Sequence, residues 1–456
     1  MHSKPSNYLK YSNIVIISLL VIVSNPLAAQ TTRDSLPIKA TLTDCINYAL
    51  TNQPALKQSV LDEDITKQDI RIALSGWLPQ VNADANAQHY FKLPVSLFPN
   101  QSDPSGPKQE ITTGVSNTSA ILFSANQAIY STDLFFAGKT ARDLRKLSSQ
   151  NTQGSKIDVV VNVSKAFYDV LLSQQQLEVL DEDILRLQKN LKDALSQYQN
   201  GLTEKTDYQR ATIALNNAKT ERKSTEEGVK VKYAFLKQII GLPAEKSLNV
   251  FFDSTAVEKD ILLDTLQNMN YNNRIEFQSM QTSLNLQRAK KNYYQWSFLP
   301  SVTAFGDYNF MFQNDQFSQL YNKDFPNSLV GLKLSLPLFQ GANRWHNLKK
   351  AKLQYDRLNL GMTNLKSQIN TEYTQAMASY KSNMEALQSA KENIDLARNI
   401  FNTVKLQYDK GVVNYLEVIV SETDLRTAQL NYLNMLFRAL SSTLDMKRAL
   451  GTISVK

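Results

Sequence analysis

Gln197-Tyr198-Gln199-Asn200-Gly201-Leu202 recurs 210 residues later as Gln407-Tyr408-Asp409-Lys410-Gly411-Val412, and the same offset carries Leu215 to Leu425, Ala218 to Ala428 and Gly241 to Gly451. Upstream of the turn, the ladder Leu177, Leu180, Ile184, Leu187, Leu191, Ala194, Tyr198 steps alternately by three and four residues. Leu387, Ala390, Ile394, Ala397, Phe401, Val404, Tyr408 repeat it. Near the start of each copy, Asn52-Gln53-Pro54-Ala55-Leu56 and Leu78-Pro79 match Asn273-Arg274-Ile275-Glu276-Phe277 and Leu299-Pro300 at an offset of 221. The chain is therefore read as a duplication, with a first structural repeat and its connecting segment over 31–265 and a second over 266–456. Two like units are expected about a pseudo-symmetry axis. Because two copies are too few for a solenoid, closure by oligomerisation is the expected use.

The three-four ladder is the signature of helices in coiled-coil contact. No proline interrupts Lys139 to Gln199 or Ala342 to Lys410, which at 1.5 Å per residue allows about 90–100 Å of helix in each copy. Rods of that length cannot bury themselves in a globule, so they read as walls of a tube or a bundle. Return helices are expected over about 204–240 and 414–450, capped by Gly241 and Gly451. Ahead of each rod the period changes to two. Val81, Ala83, Ala85 and Ala87 alternate with Asn82, Asp84, Asn86 and Gln88, and Val302, Ala304, Gly306, Tyr308, Phe310 and Phe312 share one side of a second strand. Val330, Leu332, Leu334 and Leu336 give its return partner the same pattern, while 114–131 is the least regular of the four strands. Thr43-Asp44 is expected to open the first helix, and 92–113 and 313–326, rich in Pro, Asn, Ser and Gln, read as loops.

Such alternation suits either a soluble sandwich or a lipid-facing barrel. Strands of roughly ten residues with aromatics toward one end favour the barrel. Four strands cannot close one, and open edges are not tolerated in lipid, so three chains sharing twelve strands are expected. The alternative is a soluble periplasmic coiled-coil scaffold or adaptor carrying a small β domain.

The first thirty residues read as a secretory signal peptide: Lys4 and Lys10, the apolar run Ile14 to Val23, then Leu27-Ala28-Ala29-Gln30. Ten apolar residues are too few for a helical span, which takes about 20. The lone cysteine, Cys45, offers neither a disulfide framework nor a lipid-bearing N-terminus, so no lipoprotein is expected. Removing the two leader lysines lowers the net charge from +8 to about +6. Basic and acidic residues interleave along the helices, Asp181-Glu182-Asp183 among them, which reads as solvated surface and gives no nucleic-acid footprint. The three histidines (His2, His89, His346) are scattered, and no phosphate loop, nucleophile motif or metal-ligand spacing appears. No catalytic residue, cofactor or metal is expected, and His89 reads as a structural or lumen residue on its strand.

Taken in order and in duplicate, the Asn-Gln-Pro-Ala-Leu stretch at 52–56, Leu-Pro before each first strand, Leu338-Phe339-Gln340-Gly341 and the Tyr-x-x-Gly-[Leu/Val] turns resemble the TolC-like outer-membrane efflux family, over about 40–456. The resemblance implies an α+β chain forming a homotrimer, with a 12-stranded barrel in the outer membrane of a Gram-negative bacterium continued by a helical tunnel in the periplasm. It implies a passive exit duct of a tripartite efflux or type I secretion system, in contact with outer-membrane lipid and coupled through a periplasmic adaptor to an inner-membrane pump of RND or ABC type. The turns at Gly201, Leu202, Gly411 and Val412 would be periplasmic tips where adaptors dock, and Tyr198, Tyr408, Asp207 and Glu417 would flank the aperture. Three copies would bring six carboxylates from Asp207 and Glu417 to the mouth, a ring favouring cations. Some relatives carry a latch arginine two residues after the second turn glycine; Val413 stands here, leaving Tyr408, Asn414 and Tyr415 as local substitutes.

Overall fold

The computed structural model describes residues 39–99, 106–251, 261, 263 and 269–455. The expected signal peptide and the boundary between 265 and 266 lie outside them. Helix α1 (Leu42–Asn52) opens at Thr41 and not at Thr43-Asp44. The Thr41 hydroxyl accepts from the Asp44 N–H while the Asp44 carboxylate accepts from the Thr41 N–H, a reciprocal cap that satisfies two otherwise orphaned donors. After Gln53 the chain restarts with Pro54 at the first position of α2 (Pro54–Ser75), where the missing N–H costs nothing. Strands β1 (Gln80–His89) and β4 (Asn117–Tyr130) follow. Between them the region read as a loop folds into a short hairpin, β2 (Val95–Phe98) with β3 (Gln109–Thr112), whose four-residue strands are too short to show a period. Next come the 68-residue α3 (Thr132–Gln199) and its return α4 (Lys205–Ile240). The second copy gives α5 (Ile275–Trp296), β5 (Ser301–Asn314), β6 (Asn327–Ser335), the 67-residue α6 (Asn343–Asp409) and α7 (Tyr415–Leu450).

The four long strands form one antiparallel sheet in the order β1-β4-β5-β6. Helices attached to them keep that order, α2 packing on α3, α3 on α5 and α5 on α6. The register pairs Ala83 with Phe123, Phe123 with Tyr308, and Gly306 with Val330. Directly opposed residues share a face, so Val81, Ala83, Ala85, Ile121, Phe123, Phe310, Val330, Leu332 and Leu334 make one continuous apolar band. Asn82, Asp84, Asn86, Ser124, Asp307, Asn309 and Lys333 lie on the reverse. Among the described residues no strand lies beside the outer edges of β1 and β6.

Below the sheet, the main core joins α1, α3, α4 and α7 through Cys45, Ala49, Val163, Phe167, Leu171, Leu236, Ile240 and Leu440. Each large aliphatic side chain fully buried there contributes about 1.5–3 kcal/mol. Gly241 and Gly451 end α4 and α7 in the left-handed region at φ +76° and +71°. They abut Asn52-Gln53 and Asn273, so α2 stands on the end of α4 and α5 on the end of α7. No helix among the described residues is long and apolar enough to cross a membrane.

Candidate functional site

At the far end of the rods the two hairpins turn through identical local geometry. Gly201 (φ +72°) donates to the Tyr198 carbonyl and Leu202 to the Gln197 carbonyl; Gly411 (φ +75°) donates to Tyr408 and Val412 to Gln407. These paired bonds satisfy the last carbonyls of each rod, and the positive φ is what selects glycine. The next residues, Leu202 and Val412, are 75% and 71% exposed. Two apolar side chains therefore project at the tip, and among the described residues nothing covers them.

The hairpins meet just above. Ala194 and Ala211 of the first pack against Tyr415 and Val418 of the second, small residues letting the backbones approach. The Tyr408 hydroxyl donates to Gln197 Oε1 at 2.8 Å, and its ring lies 5.6 Å from that of Tyr415. Burial, joined by the charge of Asp207, raises the Tyr408 phenol above its usual range, so it stays a donor. Asp207, Tyr408, Leu202 and Gly411 line one groove of about 670 Å³ between the hairpins. Glu417 is not among the residues lining it; its N–H is capped by Asn414 Oδ1 at 3.3 Å and its side chain is exposed. The Tyr198 ring packs at a tilt against that of Tyr208, with centroids 5.1 Å apart. Within one protomer the repeat-equivalent acids thus occupy different surroundings, and Asn414 serves as a helix cap.

Higher in the same seam lies a polar cluster that periodicity did not expose. Asp183, read as solvated surface, is 1% exposed, and Glu422 is 2% exposed. Arg426 Nη1 lies 3.0 Å from Asp183 Oδ2 and Arg186 Nη2 3.2 Å from Asp183 Oδ1, while Asn190 donates to Glu422 Oε2 at 2.9 Å. Arg186 Nε stands 3.3 Å from Glu422 Oε1 without hydrogen-bond alignment. Burial, reinforced by the neighbouring Asp183 charge, pushes the Glu422 carboxyl up to about 7. The first and second hairpins are bridged here by α3 and α7. At the 210-residue offset Asp183, Arg186 and Asn190 become Asn393, Leu396 and Ile400, and Glu422 and Arg426 become Thr212 and Asn216. The cluster is therefore absent from the equivalent positions of the other flank. Its signal in the sequence was a pair of arginines, at 186 and 426, each within four residues of an acid on its own helix.

A family model described as outer membrane efflux protein matches residues 45–242 and 267–452. The outer membrane protein TolC of Vibrio cholerae serotype O1 is 21% identical over 91% of this chain and 91% of its own length. The probable efflux pump outer membrane protein SepC of Pseudomonas putida is 23% identical over 90% of this chain and 82% of its own. Among solved structures, the outer membrane protein VceC of Vibrio cholerae superimposes with a TM-score of 0.71 at 16% identity, covering 90% of this chain and 96% of that one. With the family model matching two stretches that together cover most of the chain, and the same α+β architecture in the solved neighbour, the chain belongs to the outer membrane efflux protein family.

Proposed function

We propose that three copies of this chain close a single 12-stranded barrel and a helical tunnel beneath it, and that the duct couples at its tips to a periplasmic adaptor and an inner-membrane pump. As an outer membrane efflux protein the chain is an exit duct of an efflux system in the outer membrane. The observation that carries the assembly is the apolar band across β1-β4-β5-β6 with both edges open. Lipid supplies no hydrogen bonds to an unpaired strand, so the edges of β1 and β6 must meet in a closed ring of copies. On this reading the repeats over 31–265 and 266–456 of three copies contribute six hairpins around the tunnel mouth. Leu202 and Val412 beside the turn glycines are the proposed adaptor contacts, and Asp207 and Glu417, with Tyr198 and Tyr408 behind them, the proposed lining of the aperture. Passage is a diffusive step with no chemistry assigned to any side chain. Sedimentation of the detergent-solubilised protein is expected to give three chains per particle, and planar bilayers a discrete conductance. A stable monomer or dimer without conductance overturns the reading.

A further inference from the structure

The four helices beneath the sheet form a row, α2-α3-α5-α6, and among the described residues its two ends expose apolar side chains. The face of α2 turned away from α3 shows Leu61, Ile65 and Ile72, each more than half exposed. The face of α6 turned away from α5 shows Leu353 and Leu360, also more than half exposed, and Leu353 lies in a surface groove lined with it by His346, Lys349, Lys350, Gln354 and Arg357. Acids Asp62 and Asp69 flank the first stripe. Among the described residues none of Asp62, Asp69, Lys349, Lys350 and Arg357 has an ion-pair partner within the chain.

The duplication supplies the geometry by which these ends would meet. Inside the protomer, α3 packs on α5 with Phe136 against Tyr293, ring centroids 5.0 Å apart, and Gly154 opposite Ile275. Carried by offsets of 210 and 221, Phe136 and Gly154 become His346 and Asn364 on α6, and Tyr293 and Ile275 become Ile72 and Pro54 on α2. His346 then stands level with Ile72 and Asn364 with Pro54, the helices running antiparallel. Counting inward from these anchors sets Leu353 opposite Ile65, Lys349 and Lys350 opposite Asp69, and Arg357 opposite Leu61-Asp62.

We infer that the bare ends of the helix row are one interface: α6 of one copy docks on α2 of a second copy through a Leu353–Ile65 apolar centre, with Lys350–Asp69 and Arg357–Asp62 fixing register and direction. The inference rests on the trimeric reading above and adds which side chains make the seam. Apolar contact supplies attraction, and the named charges favour the partner: Lys349, Lys350 and Arg357 lie on α6 and Asp62 and Asp69 on α2, so head-to-tail closure pairs them. The internal α3–α5 seam carries no such arrangement, having Asp143 where α6 has Leu353 and Lys290 where α2 has Asp69.

Two measurements on the full chain test it. Cysteines at Ile65→Cys and Leu353→Cys in one chain, oxidised with copper phenanthroline in detergent, are expected to yield covalent dimers and trimers on denaturing gels, with either single variant giving none. The native Cys45 does not compete, since burial pushes its thiol up to about 12. Separately, Arg357→Asp is expected to raise the dissociated fraction tenfold or more in low salt, and adding Asp62→Arg to the same chain to restore trimers, which also shows that the single variant folds. Wild-type trimers with no cross-link from the cysteine pair and no rescue by the charge swap overturn the seam while leaving the trimer standing. A wild-type protein that is not trimeric overturns both.

Discussion

Gly451 lies so close to Asn273 that a Cβ on the glycine would stand 2.6 Å from the asparagine carbonyl oxygen, and Gly241 repeats the contact at 2.8 Å from the carbonyl of Asn52. Each glycine ends one helix in a left-handed turn and lets the next helix stand on that end. Replacing Gly451 by Ala adds a strained φ to a backbone collision, and a loss of about 2–4 kcal/mol is expected. Thermal denaturation followed by circular dichroism should fall by several degrees for Gly451→Ala and for Gly241→Ala. An unchanged midpoint in both would show that the helix ends can slide apart freely.

The turn glycines differ in kind from these. A Cβ at Gly201 or Gly411 meets nothing within 4 Å, so only the positive φ resists substitution. Asn, which tolerates that region, should be accepted at Gly411, whereas Val should distort the tip by about 1–2 kcal/mol locally. Gly411→Val is expected to form trimers in the outer membrane yet lose export, with Gly411→Asn near normal. Normal export by the Val variant would remove the tip from adaptor coupling.

Asp207 and Glu417 occupy unlike surroundings in one protomer, yet both sit in the first turn of a return helix beside the proposed aperture. Changing them together to Asn and Gln should lower the cation-to-anion permeability ratio, with the difference fading in high salt as screening sets in. If the two acids merely satisfy helix dipoles, stability falls slightly and selectivity stays fixed. Reversal potentials on the double variant separate the outcomes.

Glu422 makes stability depend on pH. Its folded-state carboxyl titrates near 7, above the ordinary value of 4.5, so the folded protein binds the extra proton between those limits. The associated stability is fully present below about 4.5 and is lost as pH rises through 7. Glu422→Gln is expected to melt higher than the parent at pH 8, by about 1–3 kcal/mol, and close to it at pH 4.5. Identical melting at pH 8 would mean that Arg186 fully offsets the burial of the charge.

The rods, the tips and the strands were legible because each has a period and each occurs twice. The 210-residue offset alone makes Gly201 the counterpart of Gly411, and alternation at Val302 to Phe312 marks the apolar face. What stayed hidden depends on contacts between distant segments. Pairing of β4 with β5, which joins the two repeats in one sheet, leaves no mark in either strand alone. Asp183 and Glu422 look like solvent-facing acids until α3 and α7 are laid together. The β2–β3 hairpin lies in a stretch whose Pro and Ser content speaks only of a loop.

The buried cluster of Asp183, Arg186, Asn190, Glu422 and Arg426 also bears on how a mouth of six hairpins would widen. It bolts the two hairpins of one copy to each other, whereas the matching positions on the outer flanks hold Asn393, Leu396, Ile400, Thr212 and Asn216. Around a ring of three copies, stiff joints would therefore alternate with compliant ones. Such an iris would move as three rigid leaves and not as six blades, and its opening would grow as a three-pointed slit whose arms run between copies.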